Sequence, residues 1–183
     1  MCDKRTPQDL VVRRLRSADQ DDICEHFLRL DVQTRRARFC GGASDESVLR
    51  YARNLLRYDS IACGAFVSGQ LRGIVELRGL FHSWPSRTEA AFSVEAEWQR
   101  IGIGDALFEQ MLAMARNRGV MTIEMMCLKE NSHMRHLAEK HNARLLVDVE
   151  TVEAVLHPSW PTPFSIAKEI IAETRGYTYL HFG

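Results

Sequence analysis

The chain has 183 residues, enough for one domain with a sizeable core and short for two, since domains run to roughly 100–200 residues. Its 45% apolar and 26% charged residues exclude disordered, collagen-like and coiled-coil chains. The 24 basic and 24 acidic side chains cancel, so no global field draws it to nucleic acid or an anionic membrane, and an anionic ligand must be met locally.

No apolar run approaches the roughly 20 residues that cross a bilayer, and the N-terminus, with Asp3, Lys4, Arg5 and Gln8, lacks an apolar signal core. A cytoplasmic protein is expected. The five cysteines are odd in number and scattered without metal spacing, which predicts reduced thiols rather than a disulfide framework or zinc ribbon.

In chain order, Leu10 to Arg16 reads as a strand, and Ser17 as the cap of a helix running toward Leu30 with Asp19, Asp21 and Asp22 in its first turn. A basic segment with Arg35, Arg36 and Arg38 separates it from a second helix, about Asp45 to Arg57, capped by Ser44. Ile61 to Val67 and Leu71 to Leu80 flank Ser68, Gly69 and Gln70, a hairpin pattern. After a loop holding Trp84 and Pro85 comes an apolar run, Ala90 to Val94.

Leu107, Phe108, Met111, Leu112 and Ala115 recur at helical spacing from Ile103 to Arg118, and Gly119 takes the C-terminal cap position. A strand from Thr122 to Leu128, a helix from Ser132 to His141 and two strands within Arg144 to Leu156, turning near Glu150, follow. The break at Pro158 to Pro163 precedes a helix closed by Gly176, whose Ile166, Ile170 and Ile171 form a stripe that needs cover. Residues 1–183 are thus expected to form a single domain with 158–183 appended, and the stiff break favours a homodimer over packing on the same domain.

Chemistry concentrates between Glu89 and Gly104, where a strand leads through a loop into the N-terminus of a long helix. Gly102 and Gly104 permit close approach of an anion, and the helix offers unpaired N–H groups and a favourable dipole. Glycines serving a tight turn explain the same pattern. Leu107 stands where a dinucleotide loop wants its third glycine, and no Gly-Lys-Ser/Thr ending makes a Walker loop.

Gln99-Arg100-Ile101-Gly102-Ile103-Gly104 matches Q/R-x-x-G-x-G/A, the pyrophosphate loop of the GNAT superfamily of acyl-CoA-dependent N-acyltransferases, which the chain resembles. Glu89 to Val94 resembles that family's fourth strand, Trp98 precedes the loop, and Lys129 to Met134 is similar to its asparagine motif. The resemblance implies an α/β (α+β) fold, a mixed, mostly antiparallel sheet with strands 4 and 5 splayed and helices on both faces. It implies that the main chain of Phe92 and Val94 holds the pantetheine of acetyl-CoA, that amides from Gln99 through Arg100, Ile101, Gly102, Ile103 and Gly104 to Asp105 hold its pyrophosphate, and that Asn131 contacts it from the other side.

An amine must lose a proton from a pKa of about 10 before attacking the thioester. Glu89 holds the position of the fourth-strand glutamate that many relatives use as base, though a strand-end carboxylate in a salt bridge fits it too. The tyrosine that many relatives place seven residues past the asparagine is here Ala138, leaving Ser132, His133, water or no acid at all. His133 and His136 lack an acidic partner at metal-site spacing, so no metal is expected. Arg38 and Trp84 are candidates for the acceptor wall, against a solvated helix face and a core cover.

The expected activity is acetyl transfer from acetyl-CoA to a primary amine, a small molecule or a protein lysine, by direct attack. The alternative is a non-catalytic acyl-CoA sensor or scaffold, which the missing tyrosine favours. Neither nucleic acid nor membrane is an expected partner.

Overall fold

The computed structural model describes residues 6–80, 86–167, 169–171 and 174. Seven strands form one sheet in the order β1-β2-β3-β4-β5-β7-β6. They are β1 Val11–Arg14, β2 Ser60–Val67, β3 Gln70–Arg78, β4 Arg87–Val94, β5 Thr122–Leu128, β6 Arg144–Val147 and β7 Thr151–Leu156. Every pairing is antiparallel except β4 with β5. The helices are α1 Gln20–Arg29, α2 Val32–Phe39, α3 Asp45–Arg53, α4 Ile103–Asn117 and α5 Ser132–Lys140.

Side chains alternate across the strands and divide the core in two. On one face Ile23 and Phe27 of α1 and Val48 and Ala52 of α3 bury Ala62, Phe66 and Ile74. On the other, Leu107, Phe108, Met111 and Met114 of α4 cover Val75, Leu77, Ala90, Ile123 and Met125, and Ala138 brings α5 to the same side. Burial of these large α4 side chains contributes about 1.5–3 kcal/mol each. Helices on both faces of a mixed sheet are the expected architecture.

The hairpin turn is where the composition placed it, with Ser68 and Gly69 at φ 50° and 76°. Gly119 takes φ 65° past α4, and Ser44 accepts a hydrogen bond from Ser47 N at 3.3 Å to cap α3. Ser17 is not the cap of α1. Asp19 closes a short 3-10 turn at Ser17–Asp19, accepting from Arg16 N at 2.8 Å, and its two oxygens take the buried Arg13 guanidinium at 2.7 and 2.9 Å.

The basic segment proves to be a helix of its own. Asp31 caps α2 by accepting from Thr34 N at 2.7 Å, and Cys40 ends it at φ 50°. The helix has no fully buried residue, so no apolar periodicity announces it. Phe39 fixes it, stacking edge-on to Tyr51 of α3 at 5.2 Å and lying 6.1 Å from Phe27 of α1.

Residues 163–167 and 169–171 are helical, with Thr162 capping through Ser165 N at 3.1 Å. This helix docks on its own chain at the end of α4. Ser165 donates to Asn117 at 2.8 Å, and Glu169 accepts from Asn117 and Arg118 at 2.6 Å each. The contact is polar, and Ile166, Ile170 and Ile171 stay 46–57% exposed. Gly176 and Trp84 lie outside the described residues, among which no helix is long and apolar enough to cross a membrane.

Removing one member of the Arg13–Asp19 pair strands a buried charge. Asp19→Ala should lower stability by about 3–5 kcal/mol in chemical denaturation, and Arg13→Met with Asp19→Leu should recover most of it. A loss below about 1 kcal/mol in the single variant would show the pair acting as an exposed one does.

Candidate active site

The site is built where the sheet comes apart. β4 and β5 pair only through Arg87↔Thr122, Thr88↔Ile123 and Glu89↔Glu124, and then diverge. β3 stays paired with β4 from Glu89 to Val94. Glu95 N donates to Arg72 O at 3.0 Å, so the odd residues of β4 turn their main-chain groups to β3 and the even ones face the divergence. Phe92 and Val94 therefore present unpaired backbone to the cleft. Gln99 Nε2 already reaches in and donates to Val94 O at 2.9 Å.

At the same end of the parallel pair lie both C-terminal loops. Arg100 and Gly102 adopt φ 62° and 88°, turning the chain into α4. The first helical bond runs from Ala106 N to Gly102 O at 3.0 Å, so the N–H groups of Ile103, Gly104 and Asp105 have no partner within the helix. The glycines have different reasons. Gly102 is required by its φ of 88°, and a Cβ there would also run into the Thr6 hydroxyl, whereas at Gly104 it would meet only Leu137 Cδ2 at 3.4 Å.

Opposite stands Asn131, capping α5 by accepting from Met134 N at 3.1 Å and keeping its amide NH2 for another partner. Asp105 turns its carboxylate away to Lys140 Nζ at 2.7 Å, tying the start of α4 to the end of α5. The unpaired backbone along β4, the open amides before α4 and the Asn131 amide fit a phosphopantetheine arm entering between the strands. Ile101 and Ile103 contribute backbone here, since their side chains pack into the core.

Glu89 occupies the last rung before the strands part. It is exposed, and among the described residues it makes no hydrogen bond or ion pair. Arg87, two residues before it on the strand, pairs with Glu124 at 2.8 Å. On the same face lie Arg78, directly opposite on β3, and the Arg38 guanidinium, whose charge Glu89 feels.

Arg38 belongs to a cluster that sequence reasoning did not assemble. It donates to Glu76 and to Tyr51 Oη, and its side chain is only 10% exposed. Arg78 Nε approaches the other Glu76 oxygen at 3.3 Å and its guanidinium lies 4.6 Å over the Tyr51 ring. Burial pushes the Glu76 carboxyl up, against the pull of both arginines. Arg38 thus stands in the wall beneath Glu89 rather than reaching into solvent. A glutamate inside the otherwise apolar run Ile74 to Leu77 was the available signal.

Just past β4, Glu95 accepts from Arg29 Nε and Arg72 Nη1 at 2.8 Å each and from His26 Nδ1 at 3.2 Å, while Ser93 Oγ lies 2.9 Å from His26 Nε2. Burial opposes the charge on Glu95, yet hydrogen bonds from His26, Arg29 and Arg72 outweigh it and hold the carboxyl at about 2. Ala138 is buried in the core, so nothing at that position reaches the cleft. Among the described residues no group of three His, Cys, Asp or Glu side chains could hold a metal ion.

A sheet that opens between two parallel strands, with free backbone along one and a glycine loop at the helix beyond, defines the acyl-CoA N-acyltransferase class. The acetyltransferase (GNAT) family model matches residues 26–143, more than half of the chain, which therefore belongs to that family of acyltransferases. No curated protein matches it. Among solved structures, the GNAT domain of PAT from S. lividans is 20% identical at TM-score 0.69, over 80% of this chain and 89% of that one. Spermidine N-acetyltransferase from Vibrio cholerae, solved with CoA and spermine, is 17% identical at TM-score 0.64, covering 82% and 96%. The ribosomal-protein-S18-alanine N-acetyltransferase from Escherichia coli is 15% identical at TM-score 0.64, covering 84% and 97%. At these identities the shared property is the fold.

The low pKa of Glu95 fixes a sign. A carboxylate held below its unfolded value of about 4.5 adds stability that is complete above that value and disappears as pH falls toward 2. Wild type should therefore exceed Glu95→Gln in stability at pH 6, and the gap should close by pH 2 to 3 in urea titrations. A gap independent of pH would show that the charge of Glu95 is not what the network stabilises.

Proposed function

We propose that the chain transfers an acetyl group from acetyl-CoA to a primary amine by direct attack, with protein lysines and small amines as the acceptor classes. The observation that carries this is Glu89, an exposed carboxylate, unpaired among the described residues, at the point where β4 and β5 part. A thioester delivered along the cleft-facing backbone of Val94 and Phe92 ends near that rung.

In this reading Glu89, directly or through a water, takes the proton from the acceptor ammonium, and the free amine attacks the thioester carbonyl. Amides of Ile103, Gly104 and Asp105 and the Asn131 side chain hold the cofactor's far end. The buried Ala138 offers no group to the departing thiolate. A thiol pKa of about 8.5 makes that thiolate a tolerable leaving group, so proton removal from the amine is the step that needs a protein group. The Vibrio cholerae neighbour pairs CoA with a polyamine and the Escherichia coli neighbour acts on a ribosomal protein, which supports testing both acceptor classes.

Two measurements test the reading. In Gly104→Glu a carboxylate enters the first turn of α4, where a Cβ meets only Leu137 in ordinary contact, which should abolish micromolar CoA binding in calorimetry while the circular dichroism spectrum is kept. Retained affinity would remove the loop from cofactor binding. With an acceptor found by free-thiol release from a panel of polyamines, aminoglycosides, amino acids and lysine peptides, Glu89→Gln should keep CoA affinity and lose about a hundredfold in transfer at neutral pH, recovering in part at high pH. An unchanged pH profile would exclude Glu89 as the base.

A further inference from the structure

His26 takes no part in the chemistry above, yet its exposure is 0%. It stands on the apolar face of α1 between Ile23 and Phe27, where a leucine would pack without needing partners. A buried imidazole is tolerated when both nitrogens are partnered, and here both are. The ionised Glu95 can only accept, so Nδ1 carries the proton and Nε2 accepts from the Ser93 hydroxyl.

His26 shares in holding Glu95, but Arg29 from α1 and Arg72 from β3 keep two charged bonds of 2.8 Å on that carboxylate without it. What His26 alone provides is the hold on Ser93. That residue lies between Phe92 and Val94, in the stretch of β4 that has a strand on one edge and a cleft on the other. A strand paired on one edge is free to tilt about that edge, and Ser93 is where the neighbouring face can stop it.

We propose that His26 is a positioning residue for the cofactor: its bond to Ser93 sets the attitude of β4 so that the cleft-facing backbone of Phe92 and Val94 meets the pantetheine arm. The inference rests on the acetyl-CoA reading above and assigns it a determinant outside the glycine loop. The charged groups around the imidazole are Glu25 and Arg29 on α1, Arg72 on β3 and Glu95 just past β4, and the first two pair at 3.2 Å. Glu95 thus remains compensated when His26 is replaced.

The two nitrogens can be separated. His26→Asn keeps an amide where Nδ1 meets Glu95 and drops Ser93, His26→Gln reaches Ser93, and His26→Leu fills the volume and reaches neither. CoA affinity by calorimetry should weaken about tenfold in His26→Asn, His26→Leu and Ser93→Ala, and stay within about threefold in His26→Gln. Amide hydrogen exchange across residues 92–95 should rise in the same three variants. Equal affinity in all four, or a loss that follows global stability rather than the Asn/Gln distinction, would overturn the role. Should the wild type bind no CoA, the acetyl-CoA reading falls, and equal exchange in His26→Asn and His26→Gln would dispose of the positioning role separately.

Discussion

A sheet that stops pairing in its middle has to do something with the backbone it leaves open. From Ala90 onward, β4 has β3 on one side and no strand on the other, so its even residues offer N–H and C=O groups to a cleft. Unpaired backbone inside a protein is costly, and folds rarely leave it without a partner. The rest of the site follows from this opening. α2 packs across both β4 and β5 on one face, α4 and α5 close the other, and the Gln99 amide occupies the Val94 carbonyl. An extended ligand with amide groups of its own is the partner such an edge fits, by the same bonds that add a strand to a sheet.

The two faces are held by different physics. Beneath α4 the packing is apolar throughout, and Leu107, Phe108 and Met111 are fully buried. The α1–α3 face carries, besides its apolar cluster, three ionic groupings around a buried carboxylate: Arg13 with Asp19, Arg38 with Glu76, and Arg29 and Arg72 with Glu95. Buried pairs are poor sources of net stability, but each fixes geometry, since a partner displaced is a charge left alone. Two of the three anchor helices to β3 or β4 beside the opening. The face where the acceptor would come is thus the one built from directional bonds.

Much of this was legible in the residues. The turn at Ser68-Gly69, the cap at Ser44 and the whole of α4 follow from local patterns, whereas the splay of strands 4 and 5 came only from the family resemblance, and its position after Glu89 is a finding of the structure. What escaped was polar and long-range. α2 was missed because a helix held by Phe39 and Arg38 has no apolar stripe, and its Asp31 cap looks like any aspartate until Thr34 folds over it. Gly102 was read as an anion's glycine, but its φ of 88° requires it as well. His26 looked like any helical polar residue, although its place between Ile23 and Phe27 put it on the buried face.

Net neutrality demands that an anionic ligand be met locally, and what the loop before α4 offers one is mostly backbone. Asp105 is neutralised by Lys140, and Arg100 is the one cationic side chain of the Gln99 to Asp105 segment. Main-chain amides and a helix dipole do not titrate, so in the proposed reading the hold on the pyrophosphate is set by geometry across a wide pH range. On the acceptor side the opposite applies. In the proposed reaction the incoming amine must lose a proton, beside a wall whose charges, Arg38, Arg78 and Glu76, are already committed to one another. In the proposed reaction, therefore, the pH dependence of turnover belongs to the acceptor half of the cleft and the constancy of cofactor binding to the other half. The division follows from which of the two was built of backbone.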